Sequence, residues 1–334
     1  MALQFVSSPS AVSRETSREL GGALIGEPSN GALPGWPVQR VFAPLLGATS
    51  AAIHETWLSD EPVIAGRSED IVWRRADGLL FGVIELDEAD FSPTTGASAL
   101  QTASEEAYRR IFRLLDAEQV PHLWRVWNYL SAINLETDGL ERYRQFNIGR
   151  QDAFLESRRG ATGNVPAACA LGLAGSPLSI AFLAGTTPAV PLENPRQVSA
   201  YNYPAEYGPR SPTFSRGALV YPPGQEILFI SGTASIVGHE TVFPGDVAGQ
   251  CREAMANVAA VLDEANRLSR SAPYALGDLA YRVYVRHAND LRAIRETLVP
   301  LVGAADIVYV QADICRHDLL LEIEAMASHS PEET

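Results

Sequence analysis

Two glutamates near the end of the chain have the spacing that acid catalysis would use. In the segment LLLEIE at 319–324, Glu322 and Glu324 are two residues apart, so on a strand they share one face while aliphatic neighbours take the other. Burial between leucines would raise the pKa of a carboxyl group, as a general acid near neutral pH requires. The alternative is a solvated strand face that carries two glutamates.

A C-terminal hairpin is predicted to position these glutamates. Ile307–Ala312 and Leu319–Ala325 alternate as strands on either side of a turn at 315–318. If that turn is tight, Gln311 lies roughly opposite Glu322 and orients its carboxyl group.

Cys315 lies in the same turn and has two interpretations. Its neighbour Arg316 would lower the pKa of the thiol, but adjacent residues on a strand point to opposite faces. A small packed cysteine is therefore the alternative to a reactive one.

Earlier in the chain, tyrosines and an arginine are candidates for a binding site. Tyr143 and Arg150 are seven residues apart and would share one face of a helix, where the alternative is a surface contact. Tyr201, Tyr203 and Tyr207 supply three phenols in a Pro-rich linker, where the alternative is packing of the loop onto the body.

The composition excludes several classes of function. The chain has no lysine, which excludes a pyridoxal-phosphate Schiff base, a lysine nucleophile and a P-loop lysine. The six histidines are scattered and no CxxC occurs, so we expect no metal and no other cofactor. A net charge of −14 argues against a nucleic-acid partner, and no apolar run approaches the ~20 residues that span a bilayer. An anionic substrate would need a local pocket of arginines.

Cysteine usage indicates a reducing compartment. Cys169, Cys251 and Cys315 are odd in number and far apart, which does not suit a disulfide framework. The N-terminus has no basic region followed by an apolar core. We therefore expect the protein in the cytoplasm.

The elements that would position these residues occur twice. The first series is a strand LLFGVIEL at 79–86, a helix Ser104–Ala117 with a Ser cap, a strand LWRVWNYL at 123–130 and a segment PLSIAFLA at 177–184. The second series is EILFI at 226–230, the helix Val247–Leu268, AYRVYVR at 280–286 and LLEIEAMA at 320–327. This repetition predicts a duplicated strand–helix–strand–hairpin unit. Because the second copy has Glu322 where the first has Ser179, chemistry is expected in the second copy only.

Four segments follow from this division. We predict an N-terminal arm at 1–35, a degenerate first copy at 36–185, a Pro/Tyr-rich linker lining the site at 186–216 and a catalytic copy at 217–334. A linker of that length is more often functional than idle.

The second copy resembles the RidA-type superfamily. The resemblance rests on ILFISGTAS at 227–235, GDVAGQCREAMANVAAVLDEAN at 245–266, YRVYVRHANDL at 281–291 and DLLLEIEAMA at 318–327. It implies an α/β (α+β) fold with a duplicated RidA-like unit and mixed β-sheets packed against helices. Imine-hydrolysing members carry an arginine early in the strand before the final hairpin, where this chain has DIVY at 306–309, so imine deamination is not expected.

The whole chain resembles the chorismatase family. Two further motifs carry this resemblance, RYRQFNIGRQDAF at 142–154 and YNYPAEYGPRSPTFSRG at 201–217. It implies an enzyme that removes pyruvate from chorismate without metal or cofactor, with Glu322 protonating the enolpyruvyl methylene.

The same resemblance implies the binding residues. Tyr143, Arg150, Tyr201 and Tyr207 would line the pocket, and Ala234 would lie near it. An arginine of the YVRH strand, most simply Arg286, would hold a second carboxylate. Arg292 and Arg295 are the alternatives for that role.

The resemblance also bears on the product. Aromatising members have a cysteine seven residues before the catalytic glutamate, as Cys315 is here, whereas hydrolytic members have a smaller, inert residue. This favours 3-hydroxybenzoate, alone or with 4-hydroxybenzoate. A hydrolytic chorismatase giving a dihydroxycyclohexadiene carboxylate and a non-catalytic RidA-like metabolite-binding protein remain the alternatives. RidA-type proteins usually form trimers, but a fused duplication can supply part of that interface, so we expect a monomer.

Overall fold

A four-stranded sheet begins the fold. The structure is a computed structural model that describes residues 3–9, 18–27, 35–91, 96–175 and 177–329. The strands of this first sheet, in the order β1-β4-β2-β3, are β1 (Leu3–Ser8), β2 (Glu19–Gly26), β3 (Val38–Phe42) and β4 (Ala52–Ser59).

In its described residues, the arm predicted for 1–35 is replaced by two strands of this sheet, because β1 and β2 both pair with β4. The segment ELGGALIG reads as a loop in sequence, yet every residue of β2 is buried. A Cβ on Gly22 would lie 1.9 Å from the carbonyl oxygen of Glu55, so glycine permits a strand pairing that a side chain would block.

A six-stranded sheet with two helices follows. Its elements in chain order are β5 (Ile64–Ser68), β6 (Ile71–Ala76), β7 (Leu79–Leu86), α1 (Ala99–Ala117), β8 (His122–Ser131), the short pair β9 (Glu136–Thr137) and β10 (Leu140–Glu141), α2 (Arg142–Glu156), β11 (Ala167–Leu173) and β12 (Leu178–Gly185). Helix α1 begins earlier than predicted. Ser98 is its N-cap and accepts a hydrogen bond from the Gln101 N–H at 3.1 Å, while Ser104 lies inside the helix.

A second six-stranded sheet with two helices completes the chain. Its elements are β13 (Val190–Leu192), β14 (Gly217–Val220), β15 (Glu226–Thr233), the short pair β16 (Ile236–Val237) and β17 (Glu240–Thr241), α3 (Val247–Leu268), β18 (Ala280–Val285), α4 (Leu291–Val302), β19 (Ile307–Gln311) and β20 (Leu321–His329). Helix α3 has the predicted bounds, and its apolar stripe packs on this sheet.

The two large sheets have the same topology. Their strand orders are β11-β8-β12-β7-β6-β5 and β19-β18-β20-β15-β14-β13, so each strand of one sheet has a counterpart in the other. In each sheet one pair, β8 with β11 and β18 with β19, is parallel, and the remaining pairs are antiparallel. These mixed sheets packed against helices confirm the predicted α/β (α+β) class, and the repeated order agrees with a duplicated unit. The exact segment boundaries stay a prediction.

The predicted C-terminal hairpin is wrong, because β18 lies between β19 and β20. Gln311 pairs with Val285, whereas Glu322 pairs with Tyr284. The segment between β19 and β20 crosses over the end of β18 instead of forming a tight turn. A pattern of alternating residues identifies each strand but does not identify its neighbour in the sheet.

The inner faces of all three sheets share one apolar core. Trp57 of the first sheet, Phe81 and Trp127 of the second, and Phe229 of the third belong to it. Separate cores lie between the second sheet and α1 and α2, and between the third sheet and α3 and α4. Within the described ranges, no helix is long and apolar enough to cross a lipid bilayer.

Candidate active site

A cavity of about 280 Å³ lies where the two large sheets meet. One wall comes from α2 and β11 of the second sheet, and the other from β15, β20 and the loop before β20. The linker between the two copies supplies a third wall. The residues that line it include Tyr143, Arg150, Cys169, Tyr203, Tyr207, Arg216, Gly232, Ala234, Cys315, Arg316 and Glu322. This volume is just below the ~300–1,000 Å³ typical of small-molecule sites.

Glu322 occupies the cavity wall on β20. Its neighbours Leu321 and Ile323 face the helices, so the carboxyl group points to the opposite side, as the alternation predicts. The side chain is not on a solvated face, since only 4% of the residue is exposed. Strand β15 bulges beside it, and a Cβ on Gly232 would lie 1.9 Å from Glu322 Oε1. Glycine at this bulge therefore makes the space that the carboxyl group occupies.

Burial raises the pKa of Glu322 to about 8, and the charge of Glu324 adds to this effect. The guanidinium groups of Arg125 and Arg216 oppose it. A carboxyl group with this pKa is mostly protonated at pH 7. It can therefore donate a proton to a bound molecule, and the carboxylate that it leaves can stabilise a cation.

Two cysteines border the cavity. Burial and then the charge of Glu322 raise the pKa of Cys315 to about 12, and burial and then Glu324 hold the pKa of Cys169 well above its usual value. Both groups are therefore neutral thiols at physiological pH. Cys315 is partly exposed, whereas Cys169 on β11 is buried and comes from the first copy.

Helix α2 presents Tyr143, Asn147 and Arg150 along one face. Arg150 is buried, and its Nη2 donates to Asn147 Oδ1 at 2.7 Å while the guanidinium lies 4.9 Å from the Phe146 ring. Its Nε–H is buried without a protein acceptor. Burial raises the pKa of Tyr143, so this phenol also stays neutral. The helical spacing predicted for Tyr143 and Arg150 is therefore the spacing observed.

The linker contributes Tyr203, Tyr207 and Arg216. Arg216 Nη2 donates to Tyr203 Oη and to the Val198 carbonyl oxygen, both at 2.8 Å, and its Nε–H is buried without an acceptor. Tyr207 Oη lies 3.2 Å from His239 Nδ1, at the side of the cavity formed by the β16–β17 pair. The bonds of Arg216 brace the linker internally, and the contact between Tyr207 and His239 joins it to the second copy.

One of the predicted linker residues differs from expectation. Tyr201 is not part of the cavity wall, and Tyr203 occupies the wall instead. Arg316 follows Cys315 in the chain and lies 4.2 Å from the Tyr207 ring. Ala234 borders the cavity, as expected.

Arg286 also lies outside the cavity wall. Its guanidinium group donates to the carbonyl oxygens of Leu319, Ile314 and Arg316 and pairs with Asp313 at 2.7 Å. It therefore holds together the loop before β20 and has no donor left for a ligand.

The alternatives to Arg286 are no nearer to the cavity. The side chain of Arg292 is 89% exposed, and Arg295 lies over the Tyr309 ring. Gln311 Nε2 donates to the Arg286 carbonyl oxygen at 3.4 Å and does not reach Glu322.

Sequence reasoning missed Arg216, Arg316 and Cys169 as wall residues. The first two stand in motifs that were already singled out, next to a linker tyrosine cluster and next to Cys315.

No metal-binding constellation is found in the part of the chain that the structure describes: no three His, Cys, Asp or Glu side chains there lie close enough to share an ion.

Fold and site together define a class of α/β protein in which a buried carboxylic acid faces arginines across a small-molecule cavity. Residues 55–184 match the family described as chorismatase FkbO/Hyg5-like, N-terminal. A chorismatase from Streptomyces rapamycinicus is 39% identical over 282 residues, covering 82% of this chain and 82% of the relative. A 3-hydroxybenzoate synthase from Streptomyces hygroscopicus is 36% identical over 294 residues, covering 84% and 83%.

A crystal structure of a chorismatase superposes with a TM-score of 0.85 at 33% identity, covering 98% of both chains. The chain belongs to the chorismatase family.

Proposed function

We propose that this protein cleaves chorismate and releases pyruvate, with Glu322 as the proton donor. The observation that carries the proposal is the buried carboxyl group of Glu322 in the wall of a cavity that arginines also line. Relatives named chorismatase and 3-hydroxybenzoate synthase support the choice of substrate.

The first step is a proton transfer to carbon. The electron pair of the enol ether double bond takes the Glu322 proton at the methylene carbon, and the adjacent carbon becomes an oxocarbenium centre. The carboxylate that remains stabilises this cation inside a cavity of low dielectric constant. General acid catalysis of this kind typically contributes ~10²–10⁴-fold to the rate.

Arg150 and Arg216 are proposed to bind the two carboxylates of chorismate. They lie on different walls of the cavity, are at least nine-tenths buried, and each has an Nε–H without a protein acceptor. A buried donor without a partner is destabilising, so a ligand oxygen would satisfy it. Arg316 is a further donor at the same cavity. Tyr143, Tyr207 and Ala234 are proposed to shape the space around the ring.

Atom balance separates the candidate products. Pyruvate plus a hydroxybenzoate contains the atoms of chorismate and nothing more, whereas pyruvate plus the dihydroxycyclohexadiene carboxylate requires one added water. In the aromatising route the bond between the ring carbon and the ether oxygen breaks, and its electron pair goes to that oxygen, which becomes the keto oxygen of pyruvate. The ring, left as a cation, becomes aromatic by losing one proton, and transfer of that proton to the Glu322 carboxylate would restore the acid. We propose this route, giving 3-hydroxybenzoate alone or with 4-hydroxybenzoate.

Cys315 is proposed to select that route. Its neutral thiol fills part of the cavity wall and precedes Glu322 by seven residues, as in the aromatising members to which the chain is similar. The relatives themselves do not choose between products, because a chorismatase and a 3-hydroxybenzoate synthase have similar identities to this chain.

The test is incubation of purified, metal-free protein with chorismate, with pyruvate followed enzymatically and ring products resolved by chromatography. Pyruvate with a hydroxybenzoate is the expected result. We expect Cys315→Ala to shift the products toward the diene acid, because a smaller side chain admits water. An unchanged product ratio in Cys315→Ala contradicts the role of the thiol. No pyruvate from the wild type would favour a metabolite-binding protein.

We further propose that the protein is a cytoplasmic monomer. All three cysteines are free thiols, which suits a reducing compartment. One chain supplies three sheets around a common core, so a trimeric assembly is not needed to close it. Light scattering during size-exclusion chromatography would measure the molar mass in solution, and a mass of one chain is expected.

A further inference from the structure

A second carboxylate lies on the same face of β20 as Glu322. Glu324 is two residues further along the strand, which places the two side chains about 7 Å apart. It is not part of the wall of the 280 Å³ cavity. Instead it borders a separate cavity of about 40 Å³ on the other side, so a molecule bound beside Glu322 would not touch it.

Glu324 belongs to a buried cluster of four charges, which we call the charged cluster. Arg125 of β8 and Arg282 of β18 both pair with Glu324, and Arg282 also pairs with Glu55 of β4. Each of these side chains is at most 8% exposed. The cluster therefore joins all three sheets directly beneath the acid.

Such a cluster is a costly way to fill an interior. Removing charges from water costs free energy that their mutual attraction only partly offsets, and apolar side chains often replace buried ion pairs without loss. The first copy uses the apolar solution: Ala181 pairs with Trp127 at the register where Glu324 pairs with Arg282. At this register only the copy that carries the acid has a charged pair.

We propose that Glu324 is a positioning residue that keeps the neighbouring acid in its proton-carrying form, through its negative charge and without contacting substrate. This inference rests on the proposed function of Glu322. Other groups also act on Glu322, so the effect of Glu324 must be separated from theirs. Those that face it are Tyr143 from α2, Cys169 from β11, Arg125 from β8, Arg216 from the linker, Tyr284 from β18 and Cys315 from the loop before β20.

Electrostatics supports this role. The charge of Glu324 is the second cause, after burial, of the raised pKa of Glu322. Arg125 and Arg282 hold Glu324 in place as an ion-paired group, so its charge stays where it repels a second anion.

The decisive variant is Glu324→Gln, which removes the charge and keeps the shape. Because an acid catalyst must be protonated, kcat falls as the pH rises through its pKa. Loss of the neighbouring charge lowers that pKa, so the alkaline fall of kcat should move to lower pH by about one unit. Glu324→Asp keeps the charge and should retain the wild-type profile to within a few tenths of a unit, by roughly the same reasoning.

The matched control is Glu55→Gln. This substitution removes the other carboxylate that pairs with Arg282. That carboxylate is equally buried but lies at the end of the charged cluster that does not face Glu322. Its fold should be weakened in the same way as that of Glu324→Gln, but its pH profile should stay in place. An equal shift in both variants, or no shift in Glu324→Gln, would overturn the inference.

Infrared titration separates this inference from the proposed activity. The carboxyl band that disappears in Glu322→Gln reports the titration of Glu322 without any substrate. If the wild type does not consume chorismate, the proposed function fails, while a downward shift of this band in Glu324→Gln still supports the inference. If Glu324→Gln does not fold, Arg282→Gln removes a partner of Glu324 that does not itself lower the pKa of Glu322, and the band should move to higher pH. An unmoved band there would sink the inference.

Discussion

The two copies place different side chains at the same position of equivalent strands. Glu322 on β20 lies opposite Tyr284, and Ser179 on β12 lies opposite Tyr129. Glu322 borders an open cavity, whereas the Ser179 hydroxyl accepts a hydrogen bond from Gln39 Nε2 at 3.2 Å. The two copies have the same sheet topology, so they differ in the elements that pack against this position of the strand.

Strand β3 covers the position in the first copy. Arg40 on β3 pairs with Glu85, which lies opposite Ser179 in the sheet. In the second copy the corresponding neighbours are α2, β11 and the linker, and they leave a cavity. A binding site therefore needs more than a reactive residue on a strand. The elements that face that residue must also leave an empty space in front of it.

The largest effect on the difference between the two copies is expected from removal of the acid on β20. Glu322→Gln keeps the shape but cannot supply the proton, so kcat for pyruvate release should fall by ~10²–10⁴-fold. Ser179→Ala is the matched change in the first copy and should leave kcat unchanged. Comparable losses in both variants would mean that the two copies are not functionally distinct.

A smaller effect is expected at the bulge beside the acid. Gly232→Ala would put a methyl group where the Glu322 carboxyl group lies, and displacement of an acid by about 1 Å typically costs ~10²-fold in rate. Gly35→Ala is the control, because a Cβ at Gly35 meets no atom within 4 Å. Rates of pyruvate release in both variants test the fit, and a fully active Gly232→Ala would contradict it.

The arginine walls give the smallest of the three effects. Arg216→Gln removes one charged donor, and a hydrogen bond between charged groups contributes about 1.5–3 kcal/mol, so KM for chorismate should rise roughly 10–100-fold. Arg292→Gln changes an exposed arginine outside the cavity and should leave KM as it is. An unchanged KM in Arg216→Gln would remove Arg216 from the binding site.

The sequence predicts local features well. The bounds of α3 and β7, the helical face shared by Tyr143 and Arg150, and the alternation around Glu322 all depend on residues close in the chain. These features follow from periodicity of 3.6 or 2, which a single sequence displays.

Pairings between distant segments could not be predicted. Arg286 stands in the right motif, but the loop that folds back onto it takes all its donors, whereas Arg216 reaches the cavity from the linker. The expectation that Gln311 lies opposite Glu322 depends only on the order in which the strands that carry them follow one another in the chain. The position of β18 between those strands depends on the pairing of all strands in the sheet, which no local pattern of residues determines.

The cavity takes its acid from one copy and its opposite wall from the other, and this division has an evolutionary consequence. In an assembly of identical subunits, one gene encodes both walls of such a cavity, so every substitution occurs in all subunits at once. A substitution that improves one wall therefore also changes the strand that carries the acid. Fusion of two copies into one chain removes that coupling. Each half is then free to specialise, one in the strand that carries the acid and one in the wall that faces it.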